Sequence, residues 1–360
     1  MRKSFYILMV FALAAVPSRA ESRVKFLYDA EFLFYFDNKE CDRSPYADSQ
    51  TLTGIRIAPE IGAGIADSIY GDHRLMAGVV YLQPFGAGWD AGKLRLTAYY
   101  SFSKSGFSMQ LGFLPYAKLI ETLPDYLQSD SISYYDANIQ GALFQYQSSK
   151  GFASLFLDWR GMPSPDTREA FRIVGTGQYR KEWFNVGGYA QMNHLACSKP
   201  YIEGEGVCDD LLLNPYVGFD LGKVTPLDSF SIRAGYMLGI QRDRAAGADY
   251  LCNGGILEIF LRWRFVGFKN STYYGDPQFP LYAGYGSELN RGDSYYRASF
   301  YNRSDVFFYI YNNRFVNCFA SANFMVSDGH FSCSQQITAQ FLLSRIGQKD
   351  AAKLRTQFGK

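Results

Sequence analysis

The chain is poor in the groups that carry most soluble enzyme chemistry. It has six cysteines, but no two are spaced Cys-x-x-Cys, which excludes a zinc ribbon or a dithiol redox motif. Histidine is limited to His73, His194 and His330, so general bases are few. The glycine-rich stretch Gly86-Ala87-Gly88-Trp89-Asp90 lacks the Lys-Ser/Thr of a phosphate-binding loop and reads as an outer turn. No basic excess is present: 36 Lys and Arg face 34 Asp and Glu, and no nucleic-acid partner is expected. Beyond the N-terminus no stretch reaches about 18 uninterrupted apolar residues, which leaves no helical membrane span. At only 19% charged residues and a mean hydropathy of −0.16, the chain is not disordered either.

Aromatics and glycine are abundant, with 28 Tyr, 30 Phe and 34 Gly, a profile of strands and tight turns. Arg2-Lys3, an apolar run from Phe5 to Val16 and Pro17-Ser18-Arg19-Ala20 read as a secretory signal peptide over residues 1–20, cleaved near Ala20. No cysteine stands at the first mature positions, so no lipoprotein anchor is expected.

The stretch Ile256 to Phe265 separates into two faces when every second residue is taken. Leu257, Ile259, Leu261, Trp263 and Phe265 form one; Ile256, Glu258, Phe260, Arg262 and Arg264 form the other. A membrane barrel turns such an oily side to lipid and the charges to a wet lumen. Similar alternation marks strands near 24–37, 54–66, 74–85, 94–103, 107–116, 133–146, 153–160, 171–180, 184–193, 212–221 and 232–241. After 256–265, further strands are placed near 269–274, 305–311, 315–326 and 331–343, the first of these the weakest. Alternation is poor in 306–311, where Phe307, Phe308, Tyr309 and Ile310 are all aromatic or apolar, a run of the kind an interfacial girdle carries. Links after odd strands are long, as in 38–53, 119–132, 194–211, 243–253 and 275–304; those after even strands are mostly short, as in 104–106 and 147–150. A sandwich has no reason to sort its loops by parity, whereas a barrel in the outer membrane does. The expected fold is all-β: a single antiparallel transmembrane β-barrel of about 16 strands (alternatively 14) over residues 21–345, with a polar tail at 346–360.

Several segments carry a resemblance: Asp29-Ala30-Glu31-Phe32-Leu33-Phe34-Tyr35-Phe36-Asp37-Asn38, Leu157-Asp158-Trp159-Arg160-Gly161-Met162, Asn302-Arg303-Ser304-Asp305 and Ser334-Gln335-Gln336-Ile337. On these the chain resembles the outer-membrane porin-like barrels of Bacteroidota, which implies a cell outer-membrane location and no catalytic residues to carry over. It departs from them in continuing past Leu343 for a polar tail rather than ending on an aromatic residue.

Sixteen strands enclose an aqueous channel, whereas eight do not. The phasing directs Asp29, Glu31, Arg56, Glu60, Arg95, Asp158, Arg160, Arg172, Arg233, Glu258, Arg262 and Arg264 into the pore. The link after strand five carries Glu121, Asp125 and Asp130, expected to fold inward as an acidic constriction facing an arginine wall. The alternative is that these charges pair with one another. The function expected is a porin-like channel for small polar or charged solutes, with a non-conducting docking subunit of a surface uptake or assembly complex as alternative. An outer-membrane hydrolase is the remote third reading; His194 with Asp209-Asp210 across the loop bounded by Cys197 and Cys208 is its best constellation. On balance the chain is expected not to be an enzyme and to use no cofactor or metal. Cys197 and Cys208 are the one pair placed to form a disulfide. Partners expected are the lipid bilayer, small polar solutes, and a second copy or a surface-complex protein.

Overall fold

In a computed structural model describing residues 24–345, sixteen strands close into one antiparallel barrel in which every strand pairs with its chain neighbours and β1 pairs with β16. The signal peptide and the polar tail expected from the sequence lie outside the described residues. The strands are β1 (Lys25–Cys41), β2 (Gln50–Asp67), β3 (Gly71–Pro84), β4 (Lys93–Lys104), β5 (Phe107–Pro115), β6 (Asn138–Ser148), β7 (Gly151–Gly161) and β8 (Ala170–Lys181). They continue as β9 (Phe184–Leu195), β10 (Cys208–Asp220), β11 (Ser229–Asp243), β12 (Ala248–Trp263), β13 (Val266–Gly275), β14 (Phe300–Asn312), β15 (Val316–Ser327) and β16 (His330–Arg345).

Side-chain alternation orients the wall. In β2 the inward Gly54, Arg56, Ala58 and Glu60 are buried, while Ile57 and Ile61 lie exposed on the outside. In β10 the buried Leu212, Asn214 and Tyr216 alternate with exposed Leu213 and Val217. Apolar residues outside and polar ones within are the arrangement of a barrel in a bilayer, the inverse of a soluble sandwich. Exposed aromatics cluster at both strand ends: Trp183, Trp263, Phe265, Tyr311 and Phe315 by the short turns, Trp159, Tyr274 and Phe300 by the long loops. These are the two girdles of such a wall.

The structure differs from the sequence expectation at three places. The link after β11 is only the turn Arg244–Gly247, because β11 and β12 extend up to it. Residues Asp130–Tyr135 form a helix, α1, rather than the start of strand six; the Ser129 hydroxyl caps it by accepting from Ile132 N. The aromatic run at 307–310 is split between the faces, with Phe307 and Tyr309 buried inside and Phe308 and Ile310 exposed.

Candidate functional site: a filled lumen and a polar row on the outer wall

Two loops turn into the barrel. The first, residues 116–137, carries α1; the second, residues 276–299, carries α2 (Tyr282–Leu289) and a short 3-10 turn, Ser294–Arg297. Their aromatic and apolar residues Tyr126, Leu127, Phe279, Leu289, Tyr295 and Tyr296 are completely or almost completely buried, so hydrophobic burial draws both loops in. The loops also hydrogen-bond each other: Ser129 N donates to Arg291 O at 2.9 Å, Asp293 N to Asp125 O at 2.8 Å, and Tyr296 OH to Asp125 Oδ1 at 3.0 Å.

Ion pairs fix the first loop to the wall. Glu121 meets Arg233 at 3.2 Å, Asp130 meets Arg303 at 2.9 Å, and Asp136 is held by Arg95 at 2.6 Å and by Arg291 of the second loop at 2.5 Å. Lys118 reaches Asp29 at 3.4 Å. Wall arginines also cap loop carbonyls: Arg56 donates to Ser133 O, Arg172 to Leu127 O, and Arg160 to Glu288 O. Burial works against a charge on Asp130, yet Arg303, Gln336 and Lys39 hold its carboxyl down at about 2. Asp136 is likewise lowered against its burial, by Arg291 and Arg95. Glu121, Asp130 and Asp136 therefore meet arginines as neutralising pairs rather than as an open charge surface, while Asp125 is buried against Tyr296 OH.

Of the residues phased into the pore, Asp29, Glu31, Arg56, Glu60, Arg95, Asp158, Arg160, Arg172, Arg233, Glu258 and Arg262 stand on inward positions of their strands. Glu31 pairs with Arg56 at 2.9 Å, Glu60 accepts from Tyr99 OH at 3.0 Å, and Asp158 accepts from Tyr116 OH at 2.5 Å. Arg264 is a correction. The strand ends at Trp263, and Arg264 sits in the turn to β13 with φ of 54°, exposed and stacked on the Trp263 ring at 5.0 Å. Sequence reasoning missed Arg303, which is buried and bonds Asp305 at 2.8 Å as well as Asp130. A strand fourteen that begins at Asp305 excludes it, whereas the alternation Tyr301, Arg303, Asp305, Phe307 carries the signal that places it inward.

The outer wall carries a polar interruption. One register row runs across six strands: Trp159 opposes Phe171, Phe171 opposes His194, His194 opposes Asp209, Asp209 opposes Arg242, and Arg242 opposes Asp249. Trp159 stacks on Phe171 at 5.3 Å, and Phe171 on the His194 ring at 4.7 Å. His194 Nδ1 lies 2.7 Å from Asp209 Oδ1, and Arg244 reaches Asp209 Oδ2 at 2.9 Å. An ionised carboxylate only accepts, so Nδ1 carries the hydrogen of this contact, and in the neutral imidazole the lone pair is on Nε2. Asp210, the alternative partner, faces the lumen and binds Asn193 and Gln241 instead. The same loop holds a second correction: no disulfide joins Cys197 and Cys208. The register sets Cys208 opposite Leu195, two residues short of Cys197, and its thiol donates to Gly206 O.

The architecture has known counterparts. OprD of Pseudomonas aeruginosa superposes with a TM-score of 0.55 at 8% identity, covering 91% of this chain and 98% of that one. OpdL of the same organism gives 0.54 at 12% identity over 89% and 99%, and OprB of Pseudomonas putida 0.51 at 8% over 89% and 94%. This chain has a porin-like β-barrel fold. At these identities the likeness is one of fold. Residues 19–196 of the porin-like barrel match the family model described as Lipid A 3'-O-deacylase-type. No curated protein matches this chain. The family match overturns the expectation that the chain is not an enzyme: the matched family is one of enzymes. Barrel shape was silent on this, because enzymes and channels of the outer membrane are built from the same kind of wall.

Proposed function

We propose that this porin-like barrel is an outer-membrane hydrolase that cleaves an acyl ester of a membrane lipid from its outer wall. The observation that carries the reading is the His194–Asp209 pair, bonded at 2.7 Å on the lipid-facing side near the long-loop ends of β9 and β10. The pair shares its row with Trp159 of the aromatic girdle, which puts it at the lipid–water interface, where both water and a lipid ester can reach it. Asp209 orients the imidazole; Nε2 accepts a proton from water as the water oxygen attacks the ester carbonyl, and the proton then passes to the leaving alkoxide. The products are a fatty acid and the freed hydroxyl. The Trp159–Phe171 stack supplies a flat apolar surface beside the base on which an acyl chain can lie. The family match to lipid A 3'-O-deacylase-type proteins supports the substrate class. The test is expression in the outer membrane of a lipopolysaccharide-bearing host, followed by mass spectrometry of its lipid A. The wild type removes one acyl chain, and H194N and D209N leave the lipid intact. An unaltered lipid A under wild-type expression, or full activity in H194N, overturns the reading.

A second reading, passage of small polar solutes, is favoured by the width of a sixteen-strand barrel and its charged lining. It requires the two inward loops to leave a path beside them. Planar-bilayer recording decides it, with stepwise conductance expected from the wild type and none if the loops seal the lumen.

A further inference from the structure

A closed ring of side-chain hydrogen bonds lies on the outside of β13 and β14. Asn270 Nδ2 donates to Ser304 Oγ at 2.9 Å, Ser304 Oγ to Asn302 Oδ1 at 3.3 Å, Asn302 Nδ2 to Thr272 Oγ1 at 2.7 Å, and Thr272 Oγ1 to Asn270 Oδ1 at 2.9 Å. The register pairs Asn270 with Ser304 and Thr272 with Asn302, so the ring is two adjacent rows of the wall. The rows on either side are apolar: Tyr274 with Phe300 toward the long loops, Phe268 with Val306 toward the short turns. Laterally the ring is flanked by Leu257 and Ile259 of β12 and by Phe324 and Val326 of β15. From the Tyr274 row to the Phe268 row is about 20 Å along the strand, within the roughly 25 Å apolar band of such walls. The ring therefore sits in the band, where lipid offers no hydrogen-bond partner.

We propose that this face of the barrel is an interface with a second copy of the same chain. Each ring member donates and accepts once within the ring, and an amide or hydroxyl has more capacity than that. The remaining capacity includes the second amide hydrogen of Asn302 and the outward lone pairs of the oxygens. Lipid cannot use it. Two barrels in one membrane share orientation and depth, so a polar group at a given depth meets its own counterpart at that depth. Charged groups repel in such an arrangement, whereas amides and hydroxyls pair with their like, which makes a second copy the partner of fitting chemistry. The neighbouring outward positions of β15, Cys318, Ala320 and Ala322, are small and let the two walls approach closely. The strands that carry the ring, β13 and β14, are not among those of the His194 row, and the proposal stands apart from the hydrolase reading.

The test uses the full chain in the outer membrane, with amine cross-linking in intact cells and native mass spectrometry after detergent extraction. The wild type is expected as a dimer. N270V/T272V/N302V/S304V, which leaves the wall better suited to lipid, is expected as a monomer that keeps the heat-modifiable gel mobility of a folded barrel. A wild-type monomer, or a quadruple variant that still dimerises, overturns the proposal. Should that variant not fold, A320W/A322W decides: indole rings are tolerated by lipid but hold a second wall away, so it is monomeric if the proposal holds and dimeric if it fails.

Discussion

Gly267 is one residue whose identity the packing dictates. The Phe307 ring lies flat against it, and a Cβ there would fall 2.0 Å from Phe307 Cζ. Phe307 is fully buried with Phe260, Tyr309 and Phe319, so the ring has little room to retreat. Gly267→Ala should lower stability by about 1–3 kcal/mol through overpacking, read as an earlier heat-induced gel shift, and Phe307→Leu in the same chain should restore part of it. Arg303 is the other decisive residue. Arg303→Met strands buried carboxylates on Asp130 and Asp305, and loss of one partner from such a group costs about 3–5 kcal/mol. The wild-type pair has a defined acid limit. Asp130 titrates at about 2 in the folded chain, below the ordinary carboxylate value of about 3.9, so its contribution is complete above the latter and is lost as pH falls toward the former. The protection factors of the α1 amides, with the intrinsic pH dependence of exchange divided out, should thus be high and flat from neutral pH to about 4 and collapse near 2.

At the level of elements, sixteen strands could be read from two-residue periodicity because each has one face in lipid. Lys269 to Tyr274 was the weakest stretch, and its irregularity now has a cause: Asn270 and Thr272 are polar residues on the outward side. Helix α1 was not legible, since Ser133, Tyr134, Tyr135 and Asp136 alternate well enough to imitate a strand, and only the Ser129 cap argues otherwise. Nor was the inward course of residues 276–299 legible, because its burial depends on a lumen no local pattern describes. The pore-facing charges were readable, while their pairing was not: that depends on which loop enters the barrel. For the second loop, Arg291→Gln removes the link to Asp136 between the two inserted segments, and single-channel recording should show larger or noisier conductance than the wild type. In the turn after β12, Arg264 adopts a left-handed backbone at φ of 54°, so Arg264→Gly should be neutral or stabilising by up to about 1 kcal/mol in a urea-unfolding series.

For the molecule as a whole, the sequence marks His194 with Asp209-Asp210, but neither the choice of Asp209 nor the setting of the pair was legible in it. Only the closed register shows that they share a row with Trp159 and Phe171 on the outside of the wall. Barrel closure joins Tyr28 through Cys41 of β1 to residues 332–345 of β16, the two ends of the described chain. Removing β16 should therefore abolish the folded, protease-resistant form altogether, where a truncation inside a long loop would leave it intact; limited proteolysis of membranes distinguishes the two. The first strand made is also one of the last satisfied. Until the far end of the polypeptide has crossed the inner membrane, β1 presents an open row of amides and carbonyls, and the export machinery must shield that seam for the whole time the chain is being delivered.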